Sequence, residues 1–324
     1  MSALIFFKLL AIFATVGLGW IAGRLRWLGE NDPARTLSNA AFYIFVPALL
    51  FRTTARLDFR SLPWGTLAAF FVPVLLLLIV VYAWQRRSNR GGRLPVAAPS
   101  VRAISATFGN TVQIGVPIMT ALYGEAGLAI HITIISLHAL TLLTVLTTLV
   151  ELDLAHEERR LGSHASLLST LRKTVRNTII HPVVLPVLAG LIWNALGLPL
   201  PPIADETLQT LGQAVVPMCL VLIGMSLAYY GTRGAARGAV LLSVLKLLVL
   251  PAVVLAIGHG LMGLSGLALS VVVMAAALPV GSNALIFSQR YETLEAEATA
   301  AIVFSTLGFV LTAPLWLAVL GHFH

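Results

Sequence analysis

Phe108 to Pro117 reads FGNTVQIGVP, and Leu278 to Gln289 reads LPVGSNALIFSQ. Each stretch lies inside an apolar run long enough to be a membrane helix, and each would break it. Proline removes a backbone donor and clashes with the preceding turn, while glycine admits dihedrals that a helix rejects. In hydrocarbon the freed backbone groups cost several kcal/mol each, on the order of an uncompensated transfer penalty, unless they line a protein cavity. Asn110, Thr111, Gln113 and Gly115 ahead of Pro117, and Gly281, Ser282 and Asn283 after Pro279, add polar groups and flexible backbone at that depth. Two discontinuous helices meeting near the midplane would point half-helix N-termini, with free N–H groups and positive dipole ends, at a bound anion. These nine residues are the expected substrate site.

The rest of the chain supplies the bundle around them. Charged residues make up 10% of the 324 residues and apolar ones 58%, against about 25% charged in soluble domains. Apolar stretches of about 20 residues recur along nearly the whole length, each able to cross a ~30 Å hydrocarbon core. A spanning backbone must satisfy its own hydrogen bonds, and continuous rather than alternating hydrophobicity excludes a β-barrel, so the class is an all-α integral membrane protein. The expected spans are Ala3–Gly23, Ala34–Arg52, Trp64–Trp84, Val101–Tyr123, Gly127–Val150, Thr178–Leu196, Thr207–Tyr229, Gly238–Leu261, Gly266–Gln289 and Glu295–Leu320. The first is read as a retained helix and not a cleaved signal, since it is long for a signal core and Arg24 and Arg26 follow it.

With the N-terminus outside, sixteen arginines and lysines fall in inside loops and three (Arg52, Arg56, Arg60) in outside ones. That asymmetry predicts both termini on the outer, periplasmic side of a bacterial inner (plasma) membrane. The basic residues therefore set orientation, and the net charge of +8 is not read as a nucleic-acid surface. Residues 151–177 form the expected cytoplasmic loop and divide the chain into 1–150 and 178–324. Pro47 and Pro217, Pro73 and Pro251, and the two broken stretches occupy matching places in the halves. Five spans per half invert the second copy, giving an inverted-topology repeat. Pro47, Pro217, Pro73 and Pro251 read as ordinary kinks.

Lys246 lies roughly 13 Å along its helix at 1.5 Å per residue, too deep for an interfacial marker. A lysine there is expensive and is expected to face the crossover as a fixed positive charge; the competing reading is a side chain that snorkels to the surface. His138, seven residues after His131 on one face, could contact substrate or be a satisfied core histidine. Arg52, Arg56 and Arg60 are expected among lipid headgroups. The single cysteine, Cys219, permits neither a disulfide framework nor a cysteine metal site, and no metal or cofactor is expected.

GNTVQIGVPIMTALYGEAGL (109–128) and AAALPVGSNALIFSQRYETLEAEATAAIVFSTLGFVLTAPL (275–315) resemble the auxin efflux carrier family, which comprises prokaryotic carriers and the plant PIN-FORMED proteins. GLGWIAGRLRWLGENDPARTLSNAAFYIFVPALLF (17–51) is similar to the family's first two helices. The resemblance covers almost the whole chain, and its short central loop is like that of the prokaryotic members. It implies about ten transmembrane helices as two five-helix inverted repeats, with the fourth and ninth crossing at their breaks. That is an elevator-type fold like the bile acid/arsenite/riboflavin transporter superfamily, in which spans 1, 2, 6 and 7 form the scaffold. It places Asn110 and Pro117 on one crossover and Pro279 with its following residues on the other. Plant members pair an acid with a lysine in the third span; WGTLAAFFVPVLLLLIVVYAW (64–84) has no ionisable group at depth, so that coupling role does not transfer.

The leading expectation is secondary active transport of a small organic anion, such as auxin or a mono- or dicarboxylate. Its partners would be substrate and membrane lipids, with homodimer formation left open. A sodium-coupled, bile-acid-like symporter would need acidic ligands at depth. A transport-inactive sensor or scaffold would need a soluble signalling domain, for which no stretch is left. An enzyme is disfavoured by the lack of HExxH, GxSxG or paired aspartates in the helices.

Overall fold

The computed structural model describes residues 3–29, 32–56, 63–89, 94–160, 176, 182, 184–230 and 235–323. Among these the structure is helical, and the β-type pairing is one isolated bridge. The helices are α1 (Ala3–Arg24), α2 (Pro33–Ala55), α3 (Trp64–Ser88), α4 (Ala98–Thr107) and α5 (Val116–Arg160), then α6 (Val184–Ala195), α7 (Pro202–Tyr230) and α8 (Ala236–Leu261). The chain continues through α9 (Gly266–Ala277), α10 (Asn283–Arg290) and α11 (Glu295–Leu320). Six described helices are long and apolar enough to cross a membrane: α2, α3, Ile118–Glu157 of α5, Pro202–Tyr229 of α7, α8 and α11. The protein is therefore an all-helical, multi-pass membrane protein.

Two expected spans are each two shorter helices. Val101–Tyr123 divides at Phe108–Asn110, and Gly266–Gln289 divides at Leu278–Ser282. Gly124, at φ 62° and ψ −158°, turns the chain sharply inside α5, a conformation a side chain would resist. The expected end at Val150 is also too early, because α5 continues to Arg160. Its extension is anchored on α3: the Tyr82 hydroxyl donates to Asp153 Oδ2 at 2.8 Å, and Arg86 Nε meets Oδ1 at 2.9 Å. Residues 161–175 of the expected loop, and 177–181 at its junction with the sixth span, lie outside the described residues.

Two prolines expected as ordinary kinks are accommodated by wide π turns. Ala41–Phe45 precedes Pro47, and Leu245–Val249 precedes Pro251. In each, the residue before the proline donates to the carbonyl five back: Val46 to Ala41, and Leu250 to Leu245. The widened turn makes room for a residue that cannot donate. The second π turn has a further use. Leu247 O is free to accept from Trp316 Nε1 of α11 at 2.8 Å, which pins the turn that carries Lys246.

Helices α1 and α7 meet backbone to backbone, as do α2 and α6. A Cβ on Gly224 would lie 1.9 Å from Val16 O, one on Gly19 2.1 Å from Val221 O, and one on Gly190 2.0 Å from Thr54 Oγ1. In lipid, where apolar burial drives no association, such close approach supplies the packing. Asp205, at the start of α7, adds ion pairs to Arg52 and Arg56 at 2.8 Å, and Arg52 also reaches Gln209. These two arginines are thus partners of α7; Arg60 lies outside the described residues.

Gly224→Leu is expected to pry α1 from α7. Overpacking of this kind costs about 1–3 kcal/mol. Thermal unfolding in detergent should show a lowered midpoint, whereas Gly17→Ala, with open space around it, should match the parent; equal midpoints for Gly224→Leu and the parent would contradict the close contact.

Candidate functional site

The two breaks meet. Phe108 follows α4 in extended conformation (φ −79°, ψ 113°), and Leu278 follows α9 likewise (φ −57°, ψ 147°). The extended pieces lie antiparallel, bridged at Gly109 and Val280. Asn110 N–H donates to Pro279 O at 2.8 Å, and Gly281 N–H donates to Phe108 O at 2.9 Å. Val280 N–H, which faces away from this pair, donates to Ser305 Oγ of α11 at 3.0 Å. Three of the backbone donors at the breaks are thereby answered within the protein, as the hydrocarbon interior demands. Gly281 is required by contact, since a Cβ there would sit 2.8 Å from Gly109 O.

From this bridge two helical segments set out. The π turn Thr111–Gly115 leads into α5, and α10 begins at Asn283. Asn110 and Thr111 are buried, while Ser282 and Asn283 are half-buried. The side chains of Gln113 and Pro117 lie outside the described residues. Gly115 makes room for His131, whose Nε2 lies 2.8 Å from Thr111 O; a Cβ on Gly115 would be 2.4 Å from that nitrogen. His131 thus steadies the turn, a role its spacing from His138 did not reveal. His138 sits against Phe108 (ring centroids 4.3 Å apart) and Phe70 (5.9 Å), and its buried Nε2 has no hydrogen-bond partner among the described residues.

Lys246 is fully buried, at 0% exposure, so it does not snorkel. Its Nζ donates to Ala276 O, in the last turn of α9, at 2.5 Å. That is the negative end of a half-helix, where a cation is favoured. The same nitrogen lies 3.5 Å from where a Cβ on Gly109 would stand, so it touches both crossing segments.

Beside the bridge lies a cavity of about 260 Å³. Its walls are Val16 and Trp20 of α1, Leu220, Ile223 and Leu227 of α7, and Ile302, Val303 and Thr306 of α11, with Gly17 and Asn110. Of the substrate residues expected from sequence, Asn110 lines this cavity. Thr111, Gly115, Pro279, Gly281, Ser282 and Asn283 build the crossing beside it, and His138 is packed behind. The apolar walls carried no sequence signal, since they look like any membrane-helix face.

The half-helix α4 is held at its middle by Arg102. Its guanidinium forks onto Glu297 of α11, Nε to Oε1 at 2.7 Å and Nη2 to Oε2 at 3.0 Å, and Nη1 donates to Gln85 Oε1 of α3 at 2.8 Å. A bidentate pair of this type fixes geometry as well as energy. At its own far end, α10 is held against α2 and α7. Gln289 Nε2 donates to Ser226 Oγ at 3.0 Å, the Arg290 guanidinium lies 5.4 Å from the ring centres of both Phe42 and Tyr43, and Glu292 pairs with Arg35.

A multi-pass bundle with crossed, broken helices at a cavity is an arrangement that membrane transporters use. The comparisons agree: a family model described as membrane transport protein matches residues 4–317, and the chain belongs to that family, which includes the auxin efflux carriers. An uncharacterized transporter of Methanothermobacter thermautotrophicus is 27% identical over 96% of this chain and 97% of its own length. The uncharacterized transporter YfdV of Escherichia coli is 26% identical over 96% of each. Auxin efflux carrier component 5 of Arabidopsis thaliana is 22% identical over 95% of this chain and 93% of its own. These relatives are named as transporters or carriers and not as enzymes.

Arg102→Met should leave Glu297, only 7% exposed, without its fork. Removing one partner of a buried pair costs about 3–5 kcal/mol, and the partial exposure of Arg102 puts this case at the lower end. The double variant Arg102→Met, Glu297→Leu should regain much of the lost thermal stability. A double variant no more stable than Arg102→Met would rule out a stranded carboxylate as the cause.

Proposed function

We propose that this chain is a secondary active transporter that moves a small organic anion across the plasma membrane by an elevator-type alternating-access cycle. The observation that carries the reading is the reciprocal bond pair between the two breaks, set beside an apolar cavity that ends on Asn110. The proposed architecture is ten spans in two inverted five-helix repeats, 1–150 and 178–324, joined by 151–177, with both termini outside. In its support, each half contributes one donor and one acceptor to the bridge, and α1 on α7 is matched by α6 on α2. These four helices, sealed by Gly19, Gly190 and Gly224, form the fixed scaffold. Helices α3–α5 and α8–α11 form the moving body. In this orientation α10 closes the cytoplasmic side through Gln289, Arg290 and Glu292.

The substrate reading narrows with the cavity. With Asn110 and Thr306 as its polar side chains and otherwise aliphatic and tryptophan walls, it suits a monocarboxylate with an apolar body, its charge toward Asn110 and the N-terminal ends of the Thr111 turn and α10. A second carboxylate would stand against Val16, Leu220 or Ile302 with no donor, a desolvation penalty of several kcal/mol on the order of a buried unpaired polar group. That the Arabidopsis relative is named an auxin carrier fits an aromatic monocarboxylate. Lys246 provides charge support behind the crossing. A sodium-coupled symporter finds less support, because the Lys246 ammonium occupies the carbonyl end of α9 where a metal cation would serve.

Phenylacetate should raise the thermal midpoint of the purified protein more than succinate or malate does. Val303→Phe, which fills the cavity, should weaken its binding roughly tenfold or more, a loss of about 1.4 kcal/mol. A screen in which no organic anion shifts the midpoint would sink the reading.

Movement between the two bodies can be tested where they touch. In a Cys219→Ser background, Ser226→Cys and Gln289→Cys joined by a short, reducible bifunctional thiol reagent should stop flux in proteoliposomes. Reduction should restore it. Full flux with the bridge in place would mean that α10 does not part from α7.

A further inference from the structure

We infer that Lys246 makes the loaded carrier electrically neutral and leaves the empty carrier with one positive charge, so that membrane potential acts on the empty return and not on the loaded crossing. This rests on the transport reading above and goes beyond it by assigning the charge to one leg of the cycle. Lys246 belongs to α8 and its nitrogen is bound at the end of α9, so both the residue and its acceptor are in the proposed moving body. It is fully buried and makes no ion pair with any described residue. Two charged pairs of that body cancel, Arg102 with Glu297 and Arg86 with Asp153, and Arg290 stands in the last turn of α10, away from the crossing. The half-helix ends at the crossing come in both signs, the C-termini of α4 and α9 against the starts of the Thr111 turn and α10, and sum to no net charge. With its amine protonated, Lys246 is then the charge at the crossing that no described residue answers with an ion pair, and a bound monocarboxylate supplies the opposite one. A charge carried through the membrane field has its energy changed by the potential, whereas a neutral pair does not.

Proteoliposomes and radiolabelled phenylacetate separate the two legs. Exchange, with phenylacetate on both sides, uses only loaded crossings and should run at one rate whatever potential valinomycin imposes. Net efflux into substrate-free buffer needs the empty return and should change several-fold with potential. Lys246→Gln should invert the pattern, giving potential-sensitive exchange through a loaded carrier of charge −1. Lys246→Arg, which keeps the charge, should keep the parental pattern. Parental exchange as steeply dependent on potential as net efflux would overturn the inference, and so would an unchanged pattern in Lys246→Gln. If Lys246→Gln does not fold, the parental comparison alone decides. Absence of any phenylacetate flux in the parent, together with no thermal shift, is a different failure: it removes the transport reading itself and this inference with it.

Discussion

Two hydrogen bonds between Phe108–Asn110 and Pro279–Gly281 hold the centre of this protein together. They exist because a membrane interior offers no water to backbone that leaves a helix. Everything near the crossing follows from that constraint. Gly281 must lack a side chain for the segments to touch. Ser305 must offer an oxygen to Val280. Gly115 must yield space so that His131 can reach Thr111 O. Each of these residues completes a ledger of donors and acceptors that the two breaks opened.

The same logic explains the lysine. The end of α9 presents carbonyls with no helical partner, and such ends are satisfied by donors or cations. Lys246 answers one of them at Ala276. It is delivered there by a π turn that Pro251 calls for and that Trp316 secures through Leu247 O. A proline, a tryptophan and a lysine on two helices therefore form one device, and none of the three is interpretable alone.

Much of this was legible in the sequence because breaks in apolar helices are loud. FGNTVQIGVP and LPVGSNALIFSQ announce where the backbone must be rescued, and the structure joins them. The depth of Lys246 likewise pointed to a buried group. Other features were silent for physical reasons. The cavity walls are ordinary apolar residues, so hydropathy cannot separate a wall from a lipid face. Glycines at helix contacts look like any small residue until a neighbour's carbonyl is seen 2 Å from the missing Cβ, as at Gly224 (1.9 Å). Ion pairs such as Arg52 with Asp205 join residues 153 apart in sequence, and no local pattern links them. Charge on the last turns of α5 read as loop because the partners that solvate it, Tyr82 and Arg86, are on another helix.

The cavity has one more property. Its faces on α1 and α7 are built from Val16, Trp20, Leu220, Ile223 and Leu227, whereas Asn110 and Thr306 stand on the opposite side. In the proposed cycle the polar grip on a ligand would belong to the moving body, and the scaffold would present mainly hydrocarbon, whose attraction is non-directional. A surface without directional bonds has no register to lose. For the proposed cycle that would make it a lubricated track, along which a gripped passenger could be displaced without breaking and remaking contacts at every step.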